Sequence, residues 1–271
     1  MKIISYNVNG IRARSESLDA LLAEVAPHII GLQETKVVDE DFPGDHLREQ
    51  GYHAEWYGQK GHYGVALLSK TAPVQVQKGF PFANPDDQRR VITGSYETSD
   101  GGLVHVINAY FPQGDSREHP TKFPNKRQFY ADMLRYLTES FKPEDRVILM
   151  GDMNVARVDG DIGIGADNAK RWLRSGKASF LPEEREWLAR LTDWGLLDSF
   201  REKNPDEDNL FSWFDYRSKG FDREPRRGLR IDLILATAAL MDCCENVGID
   251  YDFRGRPKPS DHCFISADFK V

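Results

Sequence analysis

The segment 147–154 combines a strand-like run with reactive side chains. Val147-Ile148-Leu149-Met150 leads into Gly151-Asp152-Met153-Asn154. Residues two apart on an extended strand face the same side, so Asp152 and Asn154 should project together. A carboxylate beside an amide that donates to an oxyanion would place a base next to the charge it creates. The alternative is an Asx-rich turn that closes a strand, and this segment alone favours neither.

Two N-terminal segments have the same arrangement of an apolar run followed by a polar side chain. Ile3-Ile4-Ser5-Tyr6 leads into Asn7 and Asn9, and Ile29-Ile30-Gly31-Leu32-Gln33 leads into Glu34. These two strand ends offer oxygen ligands. A helix cap is the alternative role for Glu34.

Near the C-terminus, one acid lies inside an apolar run and an acid–histidine pair precedes another run. Asp232 is flanked by Ile231 and Leu233, and Asp261-His262 stands just before the last strand-like segment. A carboxylate in a mostly buried strand needs a partner, and a histidine that it orients would supply one. A salt-bridged core acid and a turn histidine are the alternatives.

Together these side chains form a set of mostly oxygen donors without a nearby cysteine. The set comprises Asn7, Glu34, Asp152, Asn154, Asp232, Asp261 and His262. Hard oxygen donors suit Mg²⁺ or Mn²⁺ better than zinc. A hard metal, a general base and a hydrogen-bonding clamp are components for attacking a phosphodiester, which is the chemistry that the residues predict.

The elements that must position this set are many short strands with few helices between them. Strands are predicted over residues 2–7, 29–33, 65–69, 74–77, 91–96, 104–110, 146–150, 229–236 and 264–269, and helices near 15–25, 129–141, 166–173 and from Pro182 onward. This order does not alternate as regular βαβ units do. We therefore expect mixed or antiparallel sheets with helices outside, rather than a Rossmann or TIM fold.

Composition is that of an ordinary globular protein. The 271 residues are 40% hydrophobic and 29% charged, which excludes collagen-like, disulfide-scaffold and broadly disordered classes. No repeat or linker divides the sequence, so we expect one domain over residues 1–271. No window approaches the roughly 20 apolar residues of a membrane span, and we expect a cytoplasmic protein that binds no membrane.

Positive charge is concentrated locally although the net charge is −7. One acid-free segment contains Lys170, Arg171, Arg174 and Lys177. A second basic stretch runs from Tyr216 to Arg230, and Arg89-Arg90 adds a pair. Such clusters suit phosphate contacts with a steep salt dependence. A solvated, salt-bridged surface is the alternative for each of them.

Four motifs resemble, in order and spacing, those of the endonuclease/exonuclease/phosphatase superfamily. They are Asn7-Val8-Asn9-Gly10, Leu32-Gln33-Glu34-Thr35-Lys36, Gly151-Asp152-Met153-Asn154 and Ser260-Asp261-His262. The segments 58–64, 110–114, 170–174 and 211–217 are similar to the exonuclease III branch, the bacterial apurinic/apyrimidinic endonucleases. Cys263-Phe264 departs from the usual Ala-Pro of the family, and Arg223–Arg227 is longer than usual.

The resemblance implies a four-layered α/β sandwich of the deoxyribonuclease I-like type, with two mixed β-sheets packed face to face and flanked by helices. It implies a Mg²⁺-dependent phosphodiesterase, with Mn²⁺ as substitute, acting on duplex DNA with abasic sites, nicks or 3′ ends. Similar enzymes cut 5′ to abasic sites, degrade duplex DNA from 3′ ends, remove 3′-phosphates and other 3′-blocking groups, and digest RNA in RNA–DNA hybrids. We expect a monomer.

By motif position, the resemblance also implies residue roles. The implied metal set is Asn7, Glu34, Asp152, Asn154, Asp261 and His262, with Glu34 as principal ligand. The implied catalytic set is Tyr110, Asp152, Asn154, Asp232 and His262. The implied DNA-binding set is Arg90, Gln113, Lys122, Lys170, Arg171, Arg174, Trp213 and Arg217.

Within the catalytic set, Asp152 would activate the attacking water. Asn154 and His262 would hold the scissile phosphate and stabilise the charge of the transition state. Asp232 would orient His262, and Tyr110 would reach a phosphate oxygen or assist proton transfer. The residues themselves suggest the same base and the same orienting acid.

The aromatic residues near these motifs have two candidate roles. Trp213 and Phe214 would close a pocket around a base-less sugar, with core packing as the better role for Phe214. Trp172 and Trp187 are assigned to helix packing.

Two other functions compete with DNA repair. One is a phosphodiesterase of the same superfamily acting on phosphoinositides or sphingomyelin, which the basic and aromatic segments disfavour. The other is a nucleic-acid-binding regulator that has lost catalysis, which the presence of all seven site residues disfavours.

Overall fold

The fold consists of twelve strands in two six-stranded mixed sheets, with helices on the outer faces. The computed structural model describes residues 1–271. Its strands are β1 (Lys2–Asn7), β2 (Ile29–Gln33), β3 (His53–Tyr57), β4 (Val65–Ser69), β5 (Gln75–Lys78), β6 (Val91–Glu97), β7 (Leu103–Tyr110), β8 (Val147–Asp152), β9 (Leu196–Asp198), β10 (Asp232–Thr237), β11 (Cys244–Ile249) and β12 (Ile265–Phe269). Its helices are α1 (Ser15–Glu24), α2 (Gly44–Glu49), α3 (Lys122–Ser140), α4 (Ala166–Arg174), α5 (Pro182–Asp193), α6 (Ser199–Lys203), α7 (Ala238–Met241) and α8 (Tyr251–Arg254).

The strand order is β11-β12-β1-β2-β4-β3 in one sheet and β5-β6-β7-β8-β10-β9 in the other. Because successive strand residues face opposite sides, each central strand packs on two layers at once. Ile3 lies between the sheets, whereas Ile4 packs with Leu18 of α1. Ile148 also lies between the sheets, whereas Leu149 packs against α3 and α5. The predicted four-layered α/β sandwich is confirmed.

One edge of the sandwich collects the polar strand ends. β1 runs parallel to β2, and β7 runs parallel to β8. These four strands end at Asn7, Gln33, Tyr110 and Asp152. The antiparallel strand β10 begins at Asp232, which pairs with Asp152, and β12 begins shortly after His262. The topology therefore brings residues that are far apart in the sequence to one place.

A buried amide pair holds the two sheets together beside this edge. Gln33 Nε2 donates to Asn108 Oδ1 at 2.6 Å, and Asn108 Nδ2 donates to the main-chain oxygens of Leu32 and Ala66. Gly31 makes room for this contact, because a Cβ there would lie 2.7 Å from the Asn108 side chain. The pair fixes the strand end from which Glu34 emerges.

The predicted elements differ from the observed ones at the sheet edges. The unpredicted strands β3, β9 and β11 are all edge strands. β3 and β11 have few buried side chains and β9 has only three residues, so each carries a weak apolar pattern. The run predicted over 229–236 enters β10 only at Asp232, because Leu229 forms isolated bridges with Ile162 and Trp213 instead. No helix of the structure has both the length and the apolar character needed to cross a bilayer.

Candidate active site

Asn7 links Glu34, which directly follows β2, to Asp152, which ends β8. Its Nδ2 donates to Glu34 Oε1 at 2.9 Å and to Asp152 Oδ2 at 3.0 Å. Its Oδ1 accepts the main-chain N–H of Asn9 at 3.0 Å, which fixes the plane of the amide. Asn7 therefore holds carboxylates from both sheets at one point.

Lys36 also lies at this site, although the sequence patterns predict no role for it. Its Nζ lies 2.8 Å from Glu34 Oε2. Glu34 and Lys36 both adopt left-handed backbone conformations, with φ of 53° and 59°, so the chain curls and brings the two side chains together. A lysine two residues after a motif acid is the signal that could have identified it.

Asp152 and Asn154 lie together, but not because they alternate on a strand. β8 ends at Asp152, and Asn154 has a φ of 54°. The main-chain N–H of Asn154 donates to Asp152 Oδ1 at 2.9 Å, and Asn154 Nδ2 donates to the Phe111 oxygen at 3.0 Å. The prediction of an extended segment is wrong at this point. The Asx turn of the alternative is present, and it brings both side chains to the cleft.

Asp232 and His262 form a buried pair behind Asp152. His262 Nδ1 lies 2.8 Å from Asp232 Oδ2, and His262 Nε2 lies 3.9 Å from Asp152 Oδ2. Burial alone lowers the pKa of His262, but the carboxylates of Asp232 and Asp152 outweigh it and raise the pKa. Burial raises the pKa of Asp152, and the charges of Asp232 and Glu34 add to this effect while His262 opposes it. The arrangement therefore favours a protonated His262 imidazole beside an Asp152 carboxylate whose affinity for protons is raised.

Asp261 is held by two donors on the opposite side of the site. Asn9 Nδ2 donates to its Oδ1 at 2.8 Å, and Trp213 Nε1 donates to its Oδ2 at 3.1 Å. Although burial acts in the opposite direction, the charge of His262 and these two donors lower the pKa of Asp261. Asp261 therefore stays ionised and links the β1 segment to the Trp213 loop.

Tyr110 ends β7 above Glu34. Burial, followed by the charges of Glu34 and Asp152, raises its pKa well above the ordinary value, so its hydroxyl stays protonated. The Arg90 guanidinium lies 4.6 Å from the centre of the Tyr110 ring and 4.4 Å from that of the Tyr63 ring. Its Nη1 donates to the main-chain oxygen of Tyr110. At 7% exposure, Arg90 supports Tyr110 and does not line the cleft.

The site opens into a cleft of about 360 Å³. Its wall includes the expected residues Glu34, Tyr110, Gln113, Asp152, Asn154, Trp213, Arg217, Asp261 and His262. Trp172 and Lys177 also line it, with Lys177 Nζ 3.7 Å from the centre of the Trp172 ring. The assignment of Trp172 to helix packing is therefore incomplete, because it both stacks on Phe180 and faces the cleft.

Other expected DNA-binding residues lie outside the cleft wall. Lys170, Arg171 and Arg174 are exposed on α4 without carboxylate partners, and Lys122 pairs with Asp115 at 2.9 Å. Phe214 is fully buried among aromatic side chains, as the packing alternative predicts. Trp187 packs against Phe123 and Tyr130, as expected.

The donor set fits a hard divalent cation. One potential ligand atom from each of Glu34, Asp152 and His262 lies within 4.8 Å of the others. Oxygen donors predominate and no cysteine joins them, which suits Mg²⁺ or Mn²⁺. The charges of Asp232 and Glu34 both repel the buried Asp152 carboxylate, and a cation at this point would offset that repulsion.

Comparisons with known proteins identify the family of the chain. Residues 4–262 match the model of the Endonuclease/Exonuclease/phosphatase family. The chain is 55% identical to exodeoxyribonuclease III of Haemophilus influenzae over 270 residues, covering 100% of each sequence. It is 36% identical to an exodeoxyribonuclease of Bacillus subtilis, covering 97% of each.

Solved structures give the same result. A 3′-5′ exonuclease of Neisseria meningitidis superimposes with a TM-score of 0.90 at 36% identity. An AP endonuclease of Archaeoglobus fulgidus superimposes with a TM-score of 0.90 at 32% identity, and both comparisons cover 100% of each chain. The chain therefore belongs to the endonuclease/exonuclease/phosphatase family.

Proposed function

We propose that the chain is a DNA-repair phosphodiesterase that uses Mg²⁺, with Mn²⁺ as substitute. Its reactions would be incision of duplex DNA 5′ to abasic sites and 3′-to-5′ exonuclease activity. The same hydrolysis of a phosphoester would also remove 3′-phosphates and other 3′-blocking groups and would digest RNA in RNA–DNA hybrids. These reactions differ only in the groups on either side of the phosphate. Full-length identity of 55% to exodeoxyribonuclease III supports this function.

One observation carries the proposal. Strand ends and the segments beside them, from both sheets, place the carboxylates of Glu34, Asp152 and Asp261, the amide of Asn154 and the imidazole of His262 around one cleft. A site of this composition would hold a phosphodiester, activate water and bind a divalent cation in one place. Solved relatives include a Neisseria 3′ phosphatase bound to a product DNA hairpin and an Archaeoglobus AP endonuclease.

Asp152 is the proposed general base. Its buried carboxylate lies at the cleft, and its raised pKa makes it ready to take a proton from an attacking water. Asn7 and the main-chain N–H of Asn154 hold it from both sides. The carboxylate is therefore fixed before the substrate binds, which reduces the reorganisation needed in the transition state.

Asn154, His262 and Tyr110 are the proposed phosphate clamp. Asn154 uses one amide hydrogen on the Phe111 oxygen and has a second to donate. His262, oriented by Asp232 through Nδ1, presents Nε2 as a charged donor. The protonated hydroxyl of Tyr110 is a third donor. These groups would stabilise the extra negative charge on the phosphate in the transition state.

Glu34 is the proposed principal metal ligand, with Asn7 and Asp261 arranging its surroundings. A bound divalent cation supplies charge stabilisation at a phosphate oxygen. Lys36 holds the free oxygen of Glu34 until a cation competes for it. Glu34→Gln should therefore weaken Mn²⁺ binding as well as cleavage.

Duplex DNA would bind across the cleft and the exposed cations around it. Arg217 and Lys177 line the cleft, and α4 extends the positive surface with Lys170, Arg171 and Arg174. We propose one catalytic domain over residues 1–271 that acts as a monomer in the cytoplasm. Binding should weaken steeply with salt because the phosphate contacts release counterions.

A labelled duplex with one tetrahydrofuran abasic analogue tests the function. The protein is incubated with Mg²⁺ or EDTA, beside Asp152→Asn and the control Asp193→Asn, an exposed acid on α5. We expect incision 5′ to the analogue by the wild type and Asp193→Asn only, and only with Mg²⁺. Shortening from 3′ ends without incision would reassign the enzyme to end processing. Binding without any cleavage would favour the regulator alternative.

A further inference from the structure

Arg254, at the end of α8, is buried without an acidic partner. Its side chain is 8% exposed, and its guanidinium lies 4.7 Å from the centre of the Phe221 ring and 5.7 Å from that of Tyr216. Nε is buried without a hydrogen bond, and the two terminal nitrogens reach solvent without a partner in the chain. Aromatic faces hold a guanidinium in place, but they leave its five N–H donors unused.

Two further arginines approach the same aromatic residues. The Arg226 guanidinium lies 5.0 Å from the centre of the Phe221 ring, and Arg14 Nη2 donates to the Tyr216 hydroxyl at 3.0 Å. Arg14 Nε is also buried without a partner. We call Arg14, Arg226, Arg254, Tyr216 and Phe221 the arginine cluster.

None of the three arginines pairs with a carboxylate. Their neighbours Arg12 and Arg256 do, at 3.8 Å and 2.7 Å from their acids. A buried cation without hydrogen-bond partners, as at Arg254, is costly, and a nearby anion would reduce that cost. The cluster therefore has the charge and the free donors that suit an anionic ligand.

The arginine cluster adjoins the catalytic cleft on the Asp261 side. Asn9 donates to Asp261, and its main-chain oxygen accepts from Arg14 Nη1 at 3.0 Å. The Tyr216 hydroxyl donates to the Pro259 oxygen at 2.6 Å, two residues before Asp261. A strand held in the cleft would pass this surface, and its phosphates are anions that a guanidinium binds through two donors.

We propose that the arginine cluster binds a backbone phosphate of the DNA strand outside the cleavage cleft. The inference rests on the proposed function, and it adds a contact that fixes the position of the duplex relative to the catalytic groups. Arg254 is the fixed donor of the site, because its aromatic surroundings restrict the side chain before DNA binds.

The salt dependence of DNA binding tests this proposal. Each variant is built on Asp152→Asn to prevent cleavage, and duplex binding is measured by fluorescence anisotropy across a salt series with Mg²⁺. Each phosphate contact that is lost should reduce the slope of log K against log salt by about 0.9. We expect this reduction for Arg254→Met and for Arg226→Gln, an exposed position where substitution leaves the fold intact. Arg256→Met, whose arginine pairs with Glu24, is the matched control and should keep the parent slope.

The outcomes separate the two proposals. Unchanged slopes in folded Arg254→Met and Arg226→Gln would overturn the phosphate site while leaving the enzyme's function intact. A parent that binds no duplex, together with a wild type that cleaves none, would overturn the function itself. Inorganic phosphate should compete no better than chloride at equal ionic strength. Stronger competition that Arg254→Met abolishes would assign the cluster to free phosphate instead.

Discussion

Lys126 Nζ donates to the main-chain oxygen of Asn154 at 2.9 Å from a position with no solvent exposure. The same ammonium donates to the main-chain oxygen of Gln113 at 3.2 Å and pairs with Glu184, which is equally buried. Lys126 belongs to α3 and Glu184 to α5. The ion pair between two outer helices thus contacts two loops of the cleft, which predicts that Lys126 is a positioning residue.

Removing one partner of this pair should destabilise the protein strongly. Lys126→Met leaves Glu184 buried without its partner, and Glu184→Gln does the same to Lys126, so each should cost about 3–5 kcal/mol of unfolding free energy. The double variant should lose less than the sum of the two because no buried charge remains. Urea unfolding of the three variants measures the coupling.

The double variant also separates stability from positioning. It still lacks the donor to the Asn154 oxygen, so kcat should fall while KM changes little. The exposed pair Arg135–Glu139 is the control, and its removal should cost less than about 1 kcal/mol with normal kcat. A double variant with wild-type kcat would mean that Lys126 serves stability alone.

Asp232→Asn should reduce cleavage and move its pH profile. The Asp232 carboxylate is the strongest influence that raises the pKa of His262, against the effect of burial. Without that charge the imidazole loses its proton at lower pH, so the alkaline limb of activity should shift to lower pH. Loss of the orienting acid should also cost about 10- to 100-fold in kcat/KM. Rates on the abasic duplex across pH measure both effects, and a slower enzyme with an unshifted limb would contradict the assigned role.

Most of the candidate catalytic residues could be predicted from the sequence because they stand at or near the end or start of a strand. Glu34 and Asp152 follow apolar runs, and two parallel strand pairs bring these ends together. Sequence periodicity identifies such positions without knowledge of long-range contacts. It fails at Asn154, where local hydrogen bonding to Asp152 replaces the strand.

The supporting residues could not be predicted, because their roles depend on distant parts of the chain. Lys126 reads as a surface lysine on an amphipathic helix, yet its partner is 58 residues away. Arg90 reads as a DNA contact, yet two tyrosine rings enclose it. Edge strands such as β11 lack the apolar pattern that marks central strands.

Trp213→Ala should impair abasic-site incision more than metal binding. Trp213 lines the cleft with its ring and donates to Asp261 with its indole nitrogen. Trp213→Phe keeps an aromatic face but removes the donor, so it tests the hydrogen bond to Asp261 separately from the aromatic contact. We expect Trp213→Phe to retain more incision than Trp213→Ala. Incision kinetics and Mn²⁺ titrations check this, and equal losses of incision and metal affinity in Trp213→Ala would rule out the pocket role.

Acidic pH should reduce the unfolding free energy that Asp161 contributes beside the segment leading into Asp232. Asp161 is buried against Arg230 and Arg201. Burial raises its pKa, but the two arginines outweigh that effect and lower it. The unfolded chain therefore binds more protons than the folded one at acid pH. The stability that Asp161 contributes is present above its unfolded pKa of about 3.9 and is lost as the pH falls through the folded value.

The variant Arg201→Met tests this acid sensitivity. The folded pKa of Asp161 should rise towards its ordinary value, so unfolding free energy should depend less on pH between about 5 and 3 than in the wild type. Arg185→Met, which removes an exposed pair with Asp159, is the control and should keep the wild-type dependence. Urea unfolding of the wild type and both variants across this pH range measures the dependence. Since Arg230 also anchors the chain two residues before Asp232, an unchanged dependence in Arg201→Met would mean that Arg230 alone keeps Asp161 ionised.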